Sequence, residues 1–238
     1  MQPSVVVVPV HEPSRQLLGL LRELRQVAPG VEVVVVDDGS GPAAAPVLDE
    51  AVRLGAVVRR LGVNRGKGVA LKEAFRYVRS TYPGRAVVCA DADGQHRAPD
   101  VLRLAERVRP TRTVVLGVRR FEGDVPLRSR IGNRLTGLLF RAATGHRVQD
   151  TQTGLRAFAY PLLDWLTGVP GDRFDYEMNV LLQACRTGRP IDQVVVPTRY
   201  VRDNASSHFG VLADSARVWW PLLRATVGRW VGPRRPGT

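Results

Sequence analysis

Two runs of four valines constrain the fold of this chain more than any other feature. Val5–Val8 and Val33–Val36 are uninterrupted β-branched segments, and each is followed by polar residues. Such runs are typical of strands that are buried on both faces, as in parallel sheets. Between them, residues 14–27 carry leucines at helical spacing, and Pro13 and Ser14 are helix-start signals. Strand, helix and strand in this order predict a right-handed βαβ unit.

The same alternation continues along the chain and predicts a single α/β domain. Further helices are expected at 43–54, 67–80, 98–108, 129–143, 174–186 and 211–230, and further strands at 56–59, 86–90, 113–117 and 193–196. This order indicates a mostly parallel central sheet with helices on both faces. The last helix is expected to be amphipathic and the segment 232–238 to be a disordered tail, so the domain is predicted to span 1–231.

Composition restricts the environment of the protein. Hydrophobic residues make up 44% of the 238 residues, and no apolar run approaches the roughly 18 residues that a membrane-spanning helix needs. The N-terminus lacks a secretion-signal pattern. Cys89 and Cys185 lie in apolar settings and are expected to be reduced core thiols. We therefore expect a cytoplasmic protein, either free or peripheral on the cytoplasmic face of a membrane.

The formal net charge of +13, almost all of it from arginine, indicates an anionic partner. Nucleic acid, anionic lipid and phosphorylated substrates all fit this charge, which alone does not choose among them. A nucleic-acid-binding protein is the more distant alternative, because basic strands interleaved with aromatic residues and known recognition motifs are missing. Trp219 and Trp220, with arginines nearby in the last helix, suit an anionic membrane surface or, equally well, docking on the core.

Asp91 and Asp93 directly follow the apolar run 86–90. Carboxylates at the carboxyl end of a buried strand suit Mg²⁺ or Mn²⁺ carrying a diphosphate. Ligands of open α/β sheets bind at those strand ends. An isolated Asp-x-Asp is more often a turn or a helix cap, so the assignment depends on the other motifs.

Two further motifs fall at predicted loops. Asp-Asp-Gly-Ser at 37–40 ends the second strand, where a carboxylate can accept a hydrogen bond from a nucleobase or cap a helix. Asn-Arg-Gly-Lys-Gly at 64–68 places a cation near a helix start, where it can contact a phosphate. The glycine-rich patterns of P-loop ATPases and of dinucleotide-binding folds are not matched, which argues against both classes.

Together these segments resemble family 2 glycosyltransferases, whose nucleotide-sugar-binding α/β fold is called GT-A. The motifs that carry the resemblance are Pro-Val-His at 9–11, Asp-Asp-Gly-Ser at 37–40, Asn-x-Gly-Lys-Gly at 64–68 and Asp-Ala-Asp-Gly-Gln-His at 91–96. The resemblance extends from about residue 5 to residue 209. It implies a metal-dependent, inverting transfer of a sugar from a nucleotide-sugar donor.

A narrower resemblance is to polyprenyl-phosphate hexose transferases of the dolichyl-phosphate type. It is carried by Asp-Thr-Gln-Thr-Gly-Leu-Arg at 150–156, Gly-Val-Arg at 117–119, Arg-Ser-Arg-Ile-Gly-Asn at 128–133 and Ala-Ser-Ser-His-Phe at 205–209. It implies a polyprenyl phosphate acceptor, and Asp-Thr-Gln favours a UDP-sugar over GDP-mannose. Many bacterial relatives continue into two transmembrane helices, whereas this chain resembles the soluble or peripheral form. A separate membrane-anchoring subunit is therefore a candidate partner.

The resemblance also implies roles for individual residues. The implied donor-binding residues are Pro9, His11, Glu12, Val36, Asp38, Lys67, Asp91, Ala92, Asp93, Arg119, Arg202 and His208. The implied metal ligands are Asp91, Asp93 and Gln95. The implied acceptor-binding residues are Arg128, Ser129, Arg130, Asp150 and Arg156. Catalysis is assigned to Asp91, Asp93 and Arg119. One departure is Glu12-Pro13, where the family usually has Asn-Glu.

The acceptor class leaves two alternatives open. A saccharide hydroxyl must lose its proton as it attacks, and Asp175 is then the candidate base. A phosphate is already an anion and needs cations that hold it beside the donor diphosphate. The arginine-rich segment 119–130 favours the phosphate.

Overall fold

Seven strands form one central sheet in the computed structural model, which describes residues 4–109, 113–119, 127–197 and 222, with the backbone alone at 127–131. The strands are β1 Ser4–Val10, β2 Glu32–Asp37, β3 Val57–Arg60, β4 Ala86–Cys89, β5 Val114–Arg119, β6 Arg156–Phe158 and β7 Ile191–Val196. Their order across the sheet is β3-β2-β1-β4-β6-β5-β7. Only β6 among them is antiparallel to its neighbours. The predicted α/β fold with a mostly parallel sheet is confirmed.

Helices connect the strands as the sequence pattern predicts. They are α1 Arg15–Val27, α2 Ala45–Arg53, α3 Lys67–Thr81, α4 Ala98–Arg107, α5 Leu127–Thr144, α6 Leu163–Gly168 and α7 Asp175–Arg186. Two elements were not predicted from the sequence, β6 and α6. A three-residue strand that starts with an arginine, and a six-residue helix after it, are too short to produce a periodic pattern.

The valine runs supply both faces of the sheet, because successive side chains of a strand point to opposite sides. The odd-numbered β1 valines Val5 and Val7 pack in a core that includes side chains of α3, α5, α6 and α7. Val6 and Val8 pack in a second core with side chains of α1, α2 and α4. Helices therefore cover both faces, as expected for strands without a polar side.

The first helix illustrates how local signals place these elements. The Ser14 hydroxyl accepts a hydrogen bond from the Gln16 backbone N–H at 3.4 Å, which caps the start of α1. The helical leucines of α1 are buried against the sheet; they are Leu17, Leu18, Leu20, Leu21 and Leu24. The predicted βαβ unit is thus present, with β1 and β2 parallel.

Several sequence predictions concern residues beyond the described ranges. The predicted last helix at 211–230 and the tail at 232–238 lie outside them, except for Leu222. This residue is helical and is buried in the core that contains Val5, Val7 and the side chains of α3. The domain boundary at 231 stays a prediction. Cys89 and Cys185 are free thiols, buried and half-buried respectively. Within the described ranges, no helix combines the length and the apolar character needed to cross a membrane.

Gly68→Ala tests how α3 packs, and Gly19→Ala in α1 is its control. Gly19 in α1 has open space where a Cβ would stand, so Gly19→Ala is expected to stabilise the fold by about 0.5–1 kcal/mol through helix propensity. A Cβ on Gly68 in α3 would lie 2.7 Å from Tyr176 Cβ and 2.8 Å from the Asp172 carbonyl carbon. Gly68→Ala is therefore expected to destabilise by about 1–3 kcal/mol. Urea unfolding measures both, and equal stabilisation by the two changes would contradict this packing.

Candidate active site

The carboxyl ends of all the described strands except β6 lie at one edge of the sheet. This edge carries many of the site residues that the sequence predicts. His11 and Glu12 follow β1, Asp38 follows β2, Asp91 and Asp93 follow β4, and Arg119 is the last residue of β5. Pro9 and Ala92 lie at the same edge and are half-buried. The fold thus gathers motifs that are far apart in the sequence.

The segments after β1 and β2 are joined by hydrogen bonds. The Glu12 carboxylate accepts the Gly41 N–H at 2.7 Å, and the Glu12 N–H donates to the Ser40 hydroxyl at 2.7 Å. The Asp37 carboxylate accepts both the N–H and the hydroxyl of Ser40. Glu12, which the sequence predicts at the donor site, therefore also holds the second loop against the first.

Asp38 connects the second loop to the segment before α3. Its two carboxylate oxygens accept the backbone N–H groups of Arg65 and Gly66, each at 2.7 Å, and the residue is 4% exposed. These bonds give Asp38 a structural role, and its predicted role as a reader of the donor base stays a prediction. The side chain of Val36 is fully buried in the core beside α3, and its predicted donor contact stays a prediction.

Asp91 is held by a chain of ionic contacts. The Lys67 ammonium lies 2.7 Å from Asp91 Oδ1 and 2.9 Å from Glu177 Oε2, and His96 Nε2 lies 3.7 Å from Asp91 Oδ2. Burial disfavours a charged Asp91, but Lys67 and His96 outweigh it and hold the pKa of this carboxyl far below its usual value. Burial likewise opposes a charged Lys67, but Asp91 and Glu177 raise the pKa of the ammonium. Lys67 thus contacts two carboxylates, and its predicted contact with a donor phosphate stays a prediction.

Gly154 makes room for Asp91. A Cβ at this position would overlap the Asp91 carboxylate, so the loop 149–154 can pass this close only with a glycine. Gly154 within the sequence signature 150–156 therefore has a steric reason. It brings the backbone between β5 and β6 directly against the predicted metal ligand.

Asp93 is half-buried, whereas Asp38 and Asp150 are buried, and it lies beside Gln95. Asp93 Oδ1 accepts the Gln95 N–H at 3.0 Å, and Gln95 Oε1 accepts a hydrogen bond from Arg119 at 3.4 Å. Burial and the charge of Asp91 raise the pKa of Asp93, against the weaker opposing effect of the Gln95 N–H. Two carboxylates are thus crowded into one partly desolvated place.

Arg119 is positioned by Asp150. Its Nε donates to Asp150 Oδ2 at 2.6 Å and its second terminal nitrogen donates to Asp150 Oδ1 at 3.3 Å, which is a two-point ion pair. Asp150 is fully buried. The predicted role of Asp150 in direct acceptor binding is therefore at odds with the structure, because its carboxylate faces Arg119.

Arg156 is the second predicted acceptor residue that the structure places elsewhere. It is 2% exposed, and its guanidinium donates to the backbone carbonyls of Thr151, Thr153 and Glu177. Burial removes it from direct contact with an acceptor. It fastens the loop 149–154 to the start of α7.

The start of α7 holds two acidic side chains. Asp175 Oδ1, the alternative base of the sequence analysis, accepts the Arg173 N–H at 3.0 Å in the turn that leads into α7. Glu177 lies in the ionic chain with Lys67, and sequence reasoning assigned it no role. An acid in the first turn of a helix is ordinarily interpreted as a favourable dipole contact, so no sequence signal distinguishes Glu177.

The remaining predicted residues are only partly located. The backbone of Arg128, Ser129 and Arg130 forms the first turn of α5. Arg202 and His208 lie outside the described residues. Their predicted contacts with acceptor and donor stay predictions.

The oxygen atoms available as metal ligands after β4 fit a hard divalent cation. Asp91 and Asp93 offer carboxylate oxygens and Gln95 an amide oxygen, which are the ligand types of Mg²⁺ and Mn²⁺. Burial and then the charge of Asp91 raise the pKa of Asp93, and a cation would relieve this repulsion between the two carboxylates. In the part of the chain that the structure describes, no group of three or more His, Cys, Asp or Glu side chains is arranged around one point.

Comparison with known proteins identifies relatives of this chain. The model of the family described as glycosyl transferase family 2 matches residues 5–163. An uncharacterized protein of Methanocaldococcus jannaschii is 29% identical over 213 residues, which are 87% of this chain and 86% of that protein. An undecaprenyl-phosphate 4-deoxy-4-formamido-L-arabinose transferase of Pseudomonas fluorescens is 31% identical over 166 residues, 67% of this chain. The matched part is 47% of that transferase, about half its length.

A solved structure has the same fold. It is glucosyl-3-phosphoglycerate synthase from Mycobacterium tuberculosis in complex with Mn²⁺, uridine diphosphate and glucosyl-3-phosphoglycerate. The TM-score is 0.70 at 22% sequence identity, and the match covers 95% of this chain and 80% of that one. At this identity, the likeness supports the fold.

The role of Asp38 as a clamp between two loops is testable by an isosteric change. Asp38→Asn replaces one accepting oxygen by an N–H donor that faces a backbone N–H, so the free energy of unfolding should fall by about 1–3 kcal/mol. Asp49→Asn is the matched control, because its ion pair with Arg60 is exposed and should contribute within about 0.5 kcal/mol. Urea unfolding of the wild type and of both variants measures these free energies. Equal stability of both variants would contradict the role of Asp38 as a clamp between the two loops.

Proposed function

The chain belongs to glycosyl transferase family 2, and from this premise we propose that it transfers a hexose from a nucleotide sugar to a polyprenyl phosphate, with inversion at the anomeric carbon. A UDP-sugar is the proposed donor, in preference to GDP-mannose. The named Pseudomonas relative, a transferase to undecaprenyl phosphate, supports the acceptor. The Mycobacterium structure, which holds uridine diphosphate and Mn²⁺, supports the donor and the metal.

The observation that carries the acceptor proposal is the engagement of the acidic side chains at the start of α7. Glu177 faces Lys67 at 2.9 Å and Arg156 at 3.8 Å, so its carboxylate is already engaged by cations. Asp175 accepts a backbone N–H of its own turn. A hydroxyl acceptor would need one of them as a general base. A phosphate acceptor needs neither, because its attacking oxygen is already an anion.

The proposed reaction places opposite charges in contact. An oxygen of the acceptor phosphate forms a bond to the anomeric carbon, while the bond from that carbon to the donor diphosphate breaks and its electron pair leaves with the diphosphate. Arg119, oriented by Asp150, is proposed to face the phosphates at the end of β5. Asp91, Asp93 and Gln95 are proposed to hold Mg²⁺ or Mn²⁺, which would offset the charge of the leaving diphosphate.

The acceptor phosphate is proposed to bind at Arg128, Ser129 and Arg130, in the first turn of α5. Such a site explains part of the net charge of +13 through anionic ligands, without a nucleic acid. A lipid acceptor would keep the protein at the cytoplasmic face of a membrane, which is the proposed location. Arg202 and His208 are proposed to complete the contacts with the donor phosphates.

One test of this proposed function concerns the metal. Asp93→Asn should lower turnover about a hundredfold or more, since the leaving diphosphate loses electrostatic stabilisation. The assay offers UDP- and GDP-sugars, polyprenyl phosphate and Mn²⁺, and measures lipid-linked sugar. Asp192→Asn is the control: Asp192 pairs with Arg107 near the amino end of β7, on the opposite edge of the sheet. Near-normal turnover of Asp93→Asn at excess Mn²⁺ would remove the metal assignment.

A second test separates the two acceptor classes. Replacing Ser129 and Arg130 together by alanine should weaken use of polyprenyl phosphate by about a hundredfold, because each group is proposed to contact the anion. Arg134→Ala, an exposed change later on α5, is the matched control and should have little effect.

Asp175→Asn completes this comparison. With a phosphate acceptor it should cost little, whereas a hydroxyl acceptor would make it cost roughly a hundredfold to ten-thousandfold. Each variant is assayed with polyprenyl phosphate and with an oligosaccharide panel. A large loss from Asp175→Asn beside a small loss from the Ser129 and Arg130 changes would establish the hydroxyl acceptor instead.

A further inference from the structure

The Lys67 side chain bridges two carboxylates from different parts of the fold. Its ammonium lies 2.7 Å from Asp91, after β4, and 2.9 Å from Glu177, on α7. The Lys67 side chain is 16% exposed and that of Glu177 is 13% exposed. Ion pairs this close and this sheltered are weakly screened by salt, so each carboxylate strongly affects where the ammonium lies.

Glu177 is held from its other side by Arg156. Arg156 Nε lies 3.8 Å from Glu177 Oε1, and another guanidinium nitrogen donates to the Glu177 backbone carbonyl at 2.6 Å. Arg156 is itself fixed by the carbonyls of Thr151 and Thr153. Glu177 therefore stays in place whether or not Lys67 remains against Asp91.

Lys67 is also fixed in direction by its backbone. It is the first residue of α3, and Gly66 before it has φ +100°. A Cβ on Gly66 would run into the Asp172 carbonyl, so the start of α3 packs directly on the segment that precedes α7. This close approach, which only glycine allows, places the lysine within reach of Glu177.

A divalent cation on Asp91 and Asp93 would change the balance of this cluster. The cation and the Lys67 ammonium would compete for Asp91, since both carry positive charge and both need its oxygens. Glu177 offers the ammonium a second carboxylate already in contact. Lys67 can thus pair with Asp91 while the site holds no metal. When a metal binds Asp91, Lys67 can stay paired with Glu177.

We propose that Lys67 and Glu177 act as positioning residues that set the metal affinity of the site. Lys67 neutralises Asp91 while no metal is bound, and Glu177 retains the ammonium when the metal takes Asp91. This inference rests on the proposed assignment of the metal to Asp91 and Asp93. It assigns Glu177 a function that the sequence does not indicate.

The proposal requires effects of opposite sign. Lys67→Met removes a repelling charge and should tighten Mn²⁺ binding by about tenfold or more. Glu177→Gln removes an attracting charge and leaves the ammonium to Asp91 alone, so it should weaken Mn²⁺ binding by about tenfold or more. The double variant restores the net charge of the cluster and should bind Mn²⁺ with an affinity between those of the single variants.

The experiment measures Mn²⁺ binding to the full chain directly, by the electron paramagnetic resonance signal of free Mn²⁺, with and without uridine diphosphate. Lys72→Met and Glu73→Gln are matched controls, because they remove the same charges from other α3 residues. Lys72 pairs with Asp172, and Glu73 pairs with Arg59 and Arg76. Both controls should leave the affinity within about twofold of wild type. Thermal unfolding confirms that each variant is folded.

Glu177→Gln keeps the Lys67–Asp91 pair and nearly the same side-chain shape. If Lys67→Met does not fold, the direction of the change in Mn²⁺ affinity in Glu177→Gln alone tests the proposal. Tighter or unchanged Mn²⁺ binding by Glu177→Gln, with a normal loss of binding in Asp93→Asn, would overturn this inference and leave the proposed function intact. Wild-type protein that binds no Mn²⁺, together with full turnover of Asp93→Asn, would overturn the metal assignment and this inference with it.

Discussion

The ion pair between Asp91 and Lys67 is the interaction on which the arrangement of the site depends. A carboxylate at the end of a buried strand is costly unless it is paired, and Lys67 provides that pair at 2.7 Å. Through Lys67 the pairing extends to Glu177, and through Arg156 to the loop before β6. One ionic chain therefore fixes β4, α3, α7 and the loop 149–154 relative to each other. The geometry at the strand edge follows from satisfying these charges.

The antiparallel strand β6 has a similar importance for the position of Arg119, which is proposed to face the phosphates. It lies between β4 and β5, so the loop that leads into it must cross the carboxyl edge where the proposed ligands bind. That loop carries Asp150 to Arg119 and passes Gly154 beside Asp91. The signature 150–156 thus acts as a frame for functional side chains. Asp150 and Arg156, which look like ligand-binding residues in the sequence, orient other groups.

These contacts also bear on the chemistry of the acceptor. Lys67 is paired with Asp91 and Glu177, and Arg119 is oriented by a buried acid. Such a preorganised arrangement suits a reaction in which two anionic phosphates must be held together, because fixed charges need no reorganisation during the transfer. The membership in glycosyl transferase family 2 and the similarity to an undecaprenyl-phosphate transferase are consistent with this proposal.

The sequence by itself determined the α/β class, the mostly parallel sheet and the position of the motifs, whereas β6 and α6 emerged only in the structure. Four-valine runs and leucine spacing are local patterns with one physical interpretation, so β1, α1 and β2 could be predicted within one residue at most ends. Asp91 and Asp93 could be assigned to the strand edge for the same reason. Only the tertiary structure decided that Asp38 clamps two loops, that Asp150 and Arg156 are buried, and that Glu177 shares Lys67 with Asp91. These roles depend on contacts between residues far apart in the chain, and the desolvation that selects a partner for each charge exists only after the sheet has brought them together.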